Sequence, residues 1–252
     1  MQVNKELKQY LAEEAHRIEM EMGEQESGKL RRFIEECRNI GGEYIVIEAD
    51  MVSNIDRYYC YRQPQLCEKV NDNNPELSDN IKKLIIDIDK VLKQGSSKGR
   101  LFPGRPDWYR MCYFRHNLDR LEPVNSIRCD VNSNRDGMIT DLVKVLGTMH
   151  FEYMRSFDKL GLKAVEIDEN KTEKRVKLFF SSLRFELLAG IVSDLTFGAN
   201  KAIMDRMSYI QHLSREYYGK AFNLSGVELI YDIETGQQDY GVVLSRDAVW
   251  CT

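Results

Sequence analysis

Near the C-terminus, Val227, Leu229, Tyr231 and Ile233 recur at every second position. Glu234-Thr-Gly-Gln-Gln then turns the chain into Tyr240, Val242 and Leu244, spaced the same way. A period of two gathers side chains on one face of a pleated strand, and a short polar turn between two such runs returns the chain antiparallel. This segment therefore commits the molecule to at least one β-hairpin and excludes an all-helical fold. A second alternating pair, Val165/Ile167 and Val176/Leu178/Phe180, flanks Glu-Asn-Lys-Thr. It reads as another hairpin in preference to a helix running from Thr172.

Elsewhere the apolar spacing is mostly helical. Residues 3–22, the stretch after Ser27 that carries Leu30, Phe33, Ile34 and Cys37, and 138–158, 182–196 and 200–222 all repeat with a helical period. Ser78 is placed to cap a helix reaching about Lys93, with Ile81, Leu84, Ile85, Ile88 and Leu92 on one side. Residues 107–121 are also expected to be helical. Tyr44–Ile47 reads as a short buried strand and Ser126–Cys129 as another, while 56–76 reads as irregular. The expected class is α+β, predominantly helical, with a short N-terminal strand and C-terminal β-hairpins. Gly, Ser and Pro crowd residues 95–106 and mark a linker. It would divide an N-terminal lobe (1–95) from a C-terminal lobe (107–252), a single domain being the alternative.

At 252 residues such a chain can bury a core without covalent staples. Its six cysteines are scattered, with no CxxC pair and no signal-peptide core at the N-terminus, so reduced thiols are expected. No apolar run approaches the ~20 residues of a membrane span. These features point to a cytoplasmic protein, with a nuclear location the alternative. A net charge of −4 means that any contact with a polyanion must be local.

One segment could provide it. Between Lys98 and Arg120, six cations against two carboxylates leave a net +4, and the remainder of the chain −8. Lys98, Arg100, Arg105, Arg110 and Arg115 are interleaved with Trp108, Tyr109 and Tyr113. Arginine forks grip phosphate and aromatic faces stack on bases, so these residues form a candidate site for nucleic acid or another polyanion. The bland alternative is a solvated face whose arginines pair with carboxylates.

A different chemistry is spelled by Cys129-Asp-Val-Asn-Ser-Asn-Arg135, a C-x5-R loop between an expected strand and an expected helix, with Asp107 available as an acid. A thiolate nucleophile and a phosphate-gripping arginine have this spacing. The loop lacks glycine, and Asp130 would repel a phosphate. Asn132, Asn134, Asp136 and Gly137 also fit the start of a calcium loop, but Val143 stands where its bidentate glutamate belongs. Glu13 with His16 is an isolated ExxH, and Glu169-Asn-Lys171 reads as turn polarity, so no metal site and no cofactor is expected.

The sequence is thus read as a non-catalytic binding or regulatory protein with a partner-protein surface, or a homo-oligomer, and the 98–120 patch as its anion contact. A cysteine-dependent phosphatase and a structural subunit of an assembly are the alternatives.

Overall fold

The computed structural model describes residues 44–50, 56–61, 77–94, 108–117, 120–131, 134–147, 160–169, 174–182, 184–195 and 223–247, with isolated positions between 32 and 39 and Phe157. The segments read above as helices over 3–22 and 200–222, and residues 95–106, lie outside these.

Eight antiparallel strands form a closed barrel in which each strand pairs with its neighbours in sequence and the last with the first. They are β1 (Tyr44–Asp50), β2 (Asp56–Tyr61), β3 (Trp108–Asn117), β4 (Arg120–Asp130), β5 (Gly161–Glu169), β6 (Lys174–Ser181), β7 (Asn223–Asp232) and β8 (Gln238–Asp247). Three helices have both ends defined: α1 (Asp79–Lys93), α2 (Met138–Leu146) and α3 (Phe185–Leu195). A further helical stretch carries Phe33 and Cys37, both buried. The class is α+β, but the chain is not predominantly helical.

Both expected hairpins are present, as β5–β6 and β7–β8. The helices expected from Ser78 and over 182–196 are also present, whereas the one expected over 138–158 begins at Met138 but ends at Leu146, where Gly147 takes a positive φ of 108°. Two stretches depart from the reading. Residues 108–117 form β3 rather than a helix, and 56–61, read as irregular, form β2. Both runs are rich in aromatic residues, three Tyr in 56–61 and Trp, Tyr and Phe in 108–117, which suit a pleated surface better than a helix, and pairing with neighbouring strands outweighs local periodicity. β1 and β2 precede residues 95–106, and they pair with β8 and β3 from beyond that stretch.

The apolar core lies outside the barrel wall. Ile127, Cys129, Val165, Ile167, Val176, Leu178, Phe180, Val227, Leu229 and Val242 alternate along their strands and join one cluster with residues of the three helices. Ile81, Ile88 and Val91 come from α1, Met138, Leu142 and Leu146 from α2, and Leu188, Ile191 and Val192 from α3. Burying each such side chain stabilises the fold by about 1.5–3 kcal/mol, so most of the adhesion sits between wall and helices. Phe157 meets Phe180 edge-on, with ring centroids 5.0 Å apart.

Two irregularities keep this outer face in phase. The β5–β6 register shifts between Leu162 and Ala164, and the β7–β8 register between Leu224 and Gly226. Each bulge inserts one residue, so Leu162 remains in the outer core while Ala164 turns to the other face. Gly226 is required at its place. A Cβ there would lie 2.3 Å from the Phe180 carbonyl oxygen and 2.5 Å from the Phe179 ring. The connection into α2 is braced by Asn134, which accepts from the Leu162 N–H at 3.0 Å and donates to the Leu162 carbonyl at 3.2 Å. Arg135 ties the end of α1 to α2, donating to Gln94 at 3.2 Å and to Asp141 at 2.7 Å. That bond from Arg135 holds the Asp141 carboxyl below its ordinary pKa.

Candidate active site

Alternation that turns apolar side chains outward turns their neighbours inward. On the inner face these are largely ionic. Glu48 of β1, Glu166 and Asp168 of β5, Arg175 and Lys177 of β6, Glu228 of β7 and Asp239 of β8 are all buried, as is Ser126 of β4. Tyr59 of β2 stands among them, 2 % exposed. Register explains the grouping: Arg128 pairs with Glu166, Glu166 with Lys177, Ser126 with Asp168, and Asp168 with Arg175.

Arg175 reaches across the interior to β1 and β2, which are not its neighbours, and also bonds to the adjacent β5. It donates to Glu48 Oε1 at 3.0 Å, to the Tyr59 hydroxyl at 2.8 Å and to Asp168 Oδ2 at 3.2 Å. Lys177 Nζ is held by three carboxylates, Glu166 at 2.9 Å, Asp168 at 3.3 Å and Glu48 at 3.4 Å. It also lies 5.1 Å from the centre of the Tyr59 ring, within cation–π range. Burial is the main reason the Tyr59 phenol is raised above its ordinary pKa, so it stays a neutral hydroxyl.

Towards one mouth of the barrel the network continues to solvent. Arg128 Nη1 lies 3.6 Å from Glu166 Oε2, and its Nε donates to Asp130 at 2.8 Å. Asp130 also accepts the Tyr109 hydroxyl at 2.6 Å. Burial opposes the charge of Arg128, but Glu166 and Asp130 outweigh it and keep the guanidinium protonated. Its plane lies over Phe179, 5.9 Å from the ring centre.

Glu228 is the carboxylate least provided for. Its Oε2 is buried with no hydrogen-bond partner, and burial first, then the charge of Glu48, raises its pKa well above the ordinary carboxyl value. Ser126 Oγ is likewise buried and without a partner. Among the described residues, five buried carboxylates face two buried cations, with Arg128 a third at the mouth. Among the described residues no cluster of three or more His, Cys, Asp or Glu is arranged by itself to hold a metal ion. The carboxylates instead surround Lys177.

The residues singled out from sequence fall elsewhere. Cys129 is fully buried in the outer apolar core, on the wall face opposite the charged interior. Arg135 is engaged with Gln94 and Asp141 rather than arranged about the thiol. The nucleophile and its arginine therefore do not form a phosphate loop. Asp107, Lys98, Arg100 and Arg105 lie outside the described residues. Trp108 is buried in the outer core and Tyr109 bonds to Asp130, while Arg110, Tyr113 and Arg115 are residues of strand β3. The described part of the patch, 108–117, is a β-strand rather than the expected helix, because it pairs along its length with β4. Among the described residues no helix is long and apolar enough to cross a membrane.

No protein-family model matches this chain, and no curated protein matches it in sequence.

Proposed function

We propose that the barrel interior is the active site of a metal-assisted phosphohydrolase that draws in the phosphate chain of a di- or triphosphate. The observation that carries this reading is the inversion of the barrel, with its apolar core outside the wall and carboxylates interleaved with Arg and Lys within. Buried charges cost free energy, and replacing a buried ion-pair network with packed apolar side chains is often neutral or stabilising. A barrel interior maintained only for stability would be filled with aliphatic side chains. One filled with both signs of charge is suited to a ligand that itself carries both, and a phosphate chain with a divalent cation is such a ligand.

The roles follow from position. Arg128 stands at one mouth, and Lys177 and Arg175 lie successively further from it, two residues apart on β6 and so about 7 Å along the strand. That is a ladder for more than one phosphoryl group. Arginine offers a fork to phosphate oxygens and lysine a point charge. Glu48 and Glu228, the latter with a buried oxygen that no described residue bonds, would hold a divalent cation. A bound cation would polarise the phosphoryl oxygen and lower the pKa of a coordinated water. Phosphate entering between Arg175 and Lys177 competes with Glu48, Glu166 and Asp168 for those two side chains, and the carboxylate oxygens so released would be the ones to hold a divalent cation.

Release of inorganic phosphate from tripolyphosphate and from ATP, with Mg²⁺ or Mn²⁺ and with EDTA, tests the proposal. Metal-dependent release is expected, lost in Lys177→Ala and in Glu48→Gln while Cys129→Ser keeps it. Tight, metal-dependent binding without release would make the same chamber a binding site rather than a catalytic one. Absence of both binding and release would overturn the reading.

A further inference from the structure

Ser126 lies four residues before Asp130 on β4. Ile127 and Cys129, one and three residues after it, belong to the outer core. Ser126 thus shares the inner face with Arg128, and its register partner on β5 is Asp168, which like Glu48 binds both Arg175 and Lys177. At 4 % exposure it is sealed from bulk solvent, yet its Oγ has no hydrogen-bond partner among the described residues. A buried hydroxyl left unpaired costs about 1–3 kcal/mol. The neighbourhood cannot relieve that cost cheaply, because the nearby ionic groups are already drawn into the network around Arg175 and Lys177. Alanine or valine would fit a pleated wall at least as well, so a hydroxyl here has its use in a state that the protein alone does not display.

We propose that Ser126 is a ligand-binding residue whose hydroxyl donates to the innermost phosphate of the bound chain, level with Arg175 and Asp168. This rests on the reading of the interior as a phosphate-chain site, and adds how deep the chain reaches. The terminal group passes Arg128 and Lys177 and stops at the tier where Arg175 supplies charge and Ser126 supplies a directed O–H. A neutral donor at that tier has a purpose that a third cation would not serve. It binds an anionic oxygen without tightening the grip on product through added charge. The depth also sets a preference for chain length, since a single phosphate held at Arg128 or Lys177 would not touch Ser126.

Two measurements on the intact protein test this. The first is thermal stability without ligand. Ser126→Ala should melt at or slightly above the wild-type temperature, since it removes an unsatisfied polar group. A loss of several degrees would show that the hydroxyl has a structural partner, and would overturn the assignment whatever the ligand. The second is binding of tripolyphosphate and of inorganic phosphate in the presence of Mg²⁺, followed calorimetrically. Ser126→Ala should weaken tripolyphosphate about 10- to 100-fold, the worth of a hydrogen bond to a charged acceptor, and Ser126→Thr should restore most of it. Monophosphate should bind both proteins alike. Tripolyphosphate bound equally by wild type and Ser126→Ala overturns the role of Ser126 alone. No binding by wild type overturns the phosphate-chain reading and this inference with it.

Discussion

Several individual residues have environments that fix what they can do. The Cys37 thiol is raised far above its ordinary pKa, first by burial and then by a hydrogen bond with Cys60, so it is a poor thiolate. Folded protein should leave Cys37, Cys60 and Cys129 unlabelled by iodoacetamide while denatured protein labels them, which mass spectrometry of tryptic peptides would read. Rapid labelling of Cys129 in the native state would contradict its place in the core. Glu228 behaves in the opposite chemical sense to an ion-paired carboxylate. Its folded pKa is raised, so the folded protein holds a proton that the unfolded chain releases near the ordinary value of 4.5. The stability linked to that proton is complete below 4.5 and is lost as pH climbs through the raised folded value. Metal-free Glu228→Gln should therefore lose less stability than wild type between pH 5 and 8, and should be the more stable of the two at neutral pH. Chemical denaturation at several pH values measures it, and parallel pH profiles for the two proteins would count against the assignment.

The strands were legible in sequence where their alternation was apolar against polar, as in β7 and β8. Their chemistry was not. Val165-Glu-Ile-Asp168, Arg175-Val-Lys-Leu178 and Val227-Glu-Leu229 each alternate apolar with polar or charged residues, which ordinarily means one face in the core and the other in water. Nothing local distinguishes water from the inside of a closed barrel, because closure depends on β1 meeting β8 across nearly two hundred residues of chain. Hence Glu48, Tyr59, Glu166, Asp168, Arg175, Lys177 and Glu228 were passed over. The signal that could have found them is the density of charge of both signs on strands whose opposite face is fully apolar. In β3, aromatic residues spaced compatibly with a helix concealed a strand. At this scale Gly226 offers a direct check. Gly226→Ala pushes a methyl into the Phe180 carbonyl and the Phe179 ring, and should destabilise the protein by about 1–3 kcal/mol, read as a lowered urea midpoint with an unchanged slope. A variant as stable as wild type would mean that the bulge can move.

For the whole molecule, adhesion and ionic chemistry are placed on opposite sides of one wall. Cys129→Ser should lower stability by about 1–3 kcal/mol, because it buries a hydroxyl in an apolar cluster, without changing phosphate release. Lys177→Ala should abolish release and, because it leaves Glu48, Glu166 and Asp168 buried without their shared cation, should also lower stability by about 3–5 kcal/mol, as far-UV circular dichroism and melting would show. If Cys129→Ser also moved release, the two faces would not be separable.

The pleat ties those faces together by parity alone. Inserting a single residue within a strand, away from the two bulges, would carry everything beyond it half a turn round. Glu and Lys would be delivered to the helices, and Val and Leu to the ionic interior. Lineages descended from such a chain can therefore lengthen freely between strands. Within a strand they can change length only in twos, or by one where a new bulge absorbs the extra residue. The pattern of gaps among future relatives of this barrel should carry that even-numbered signature.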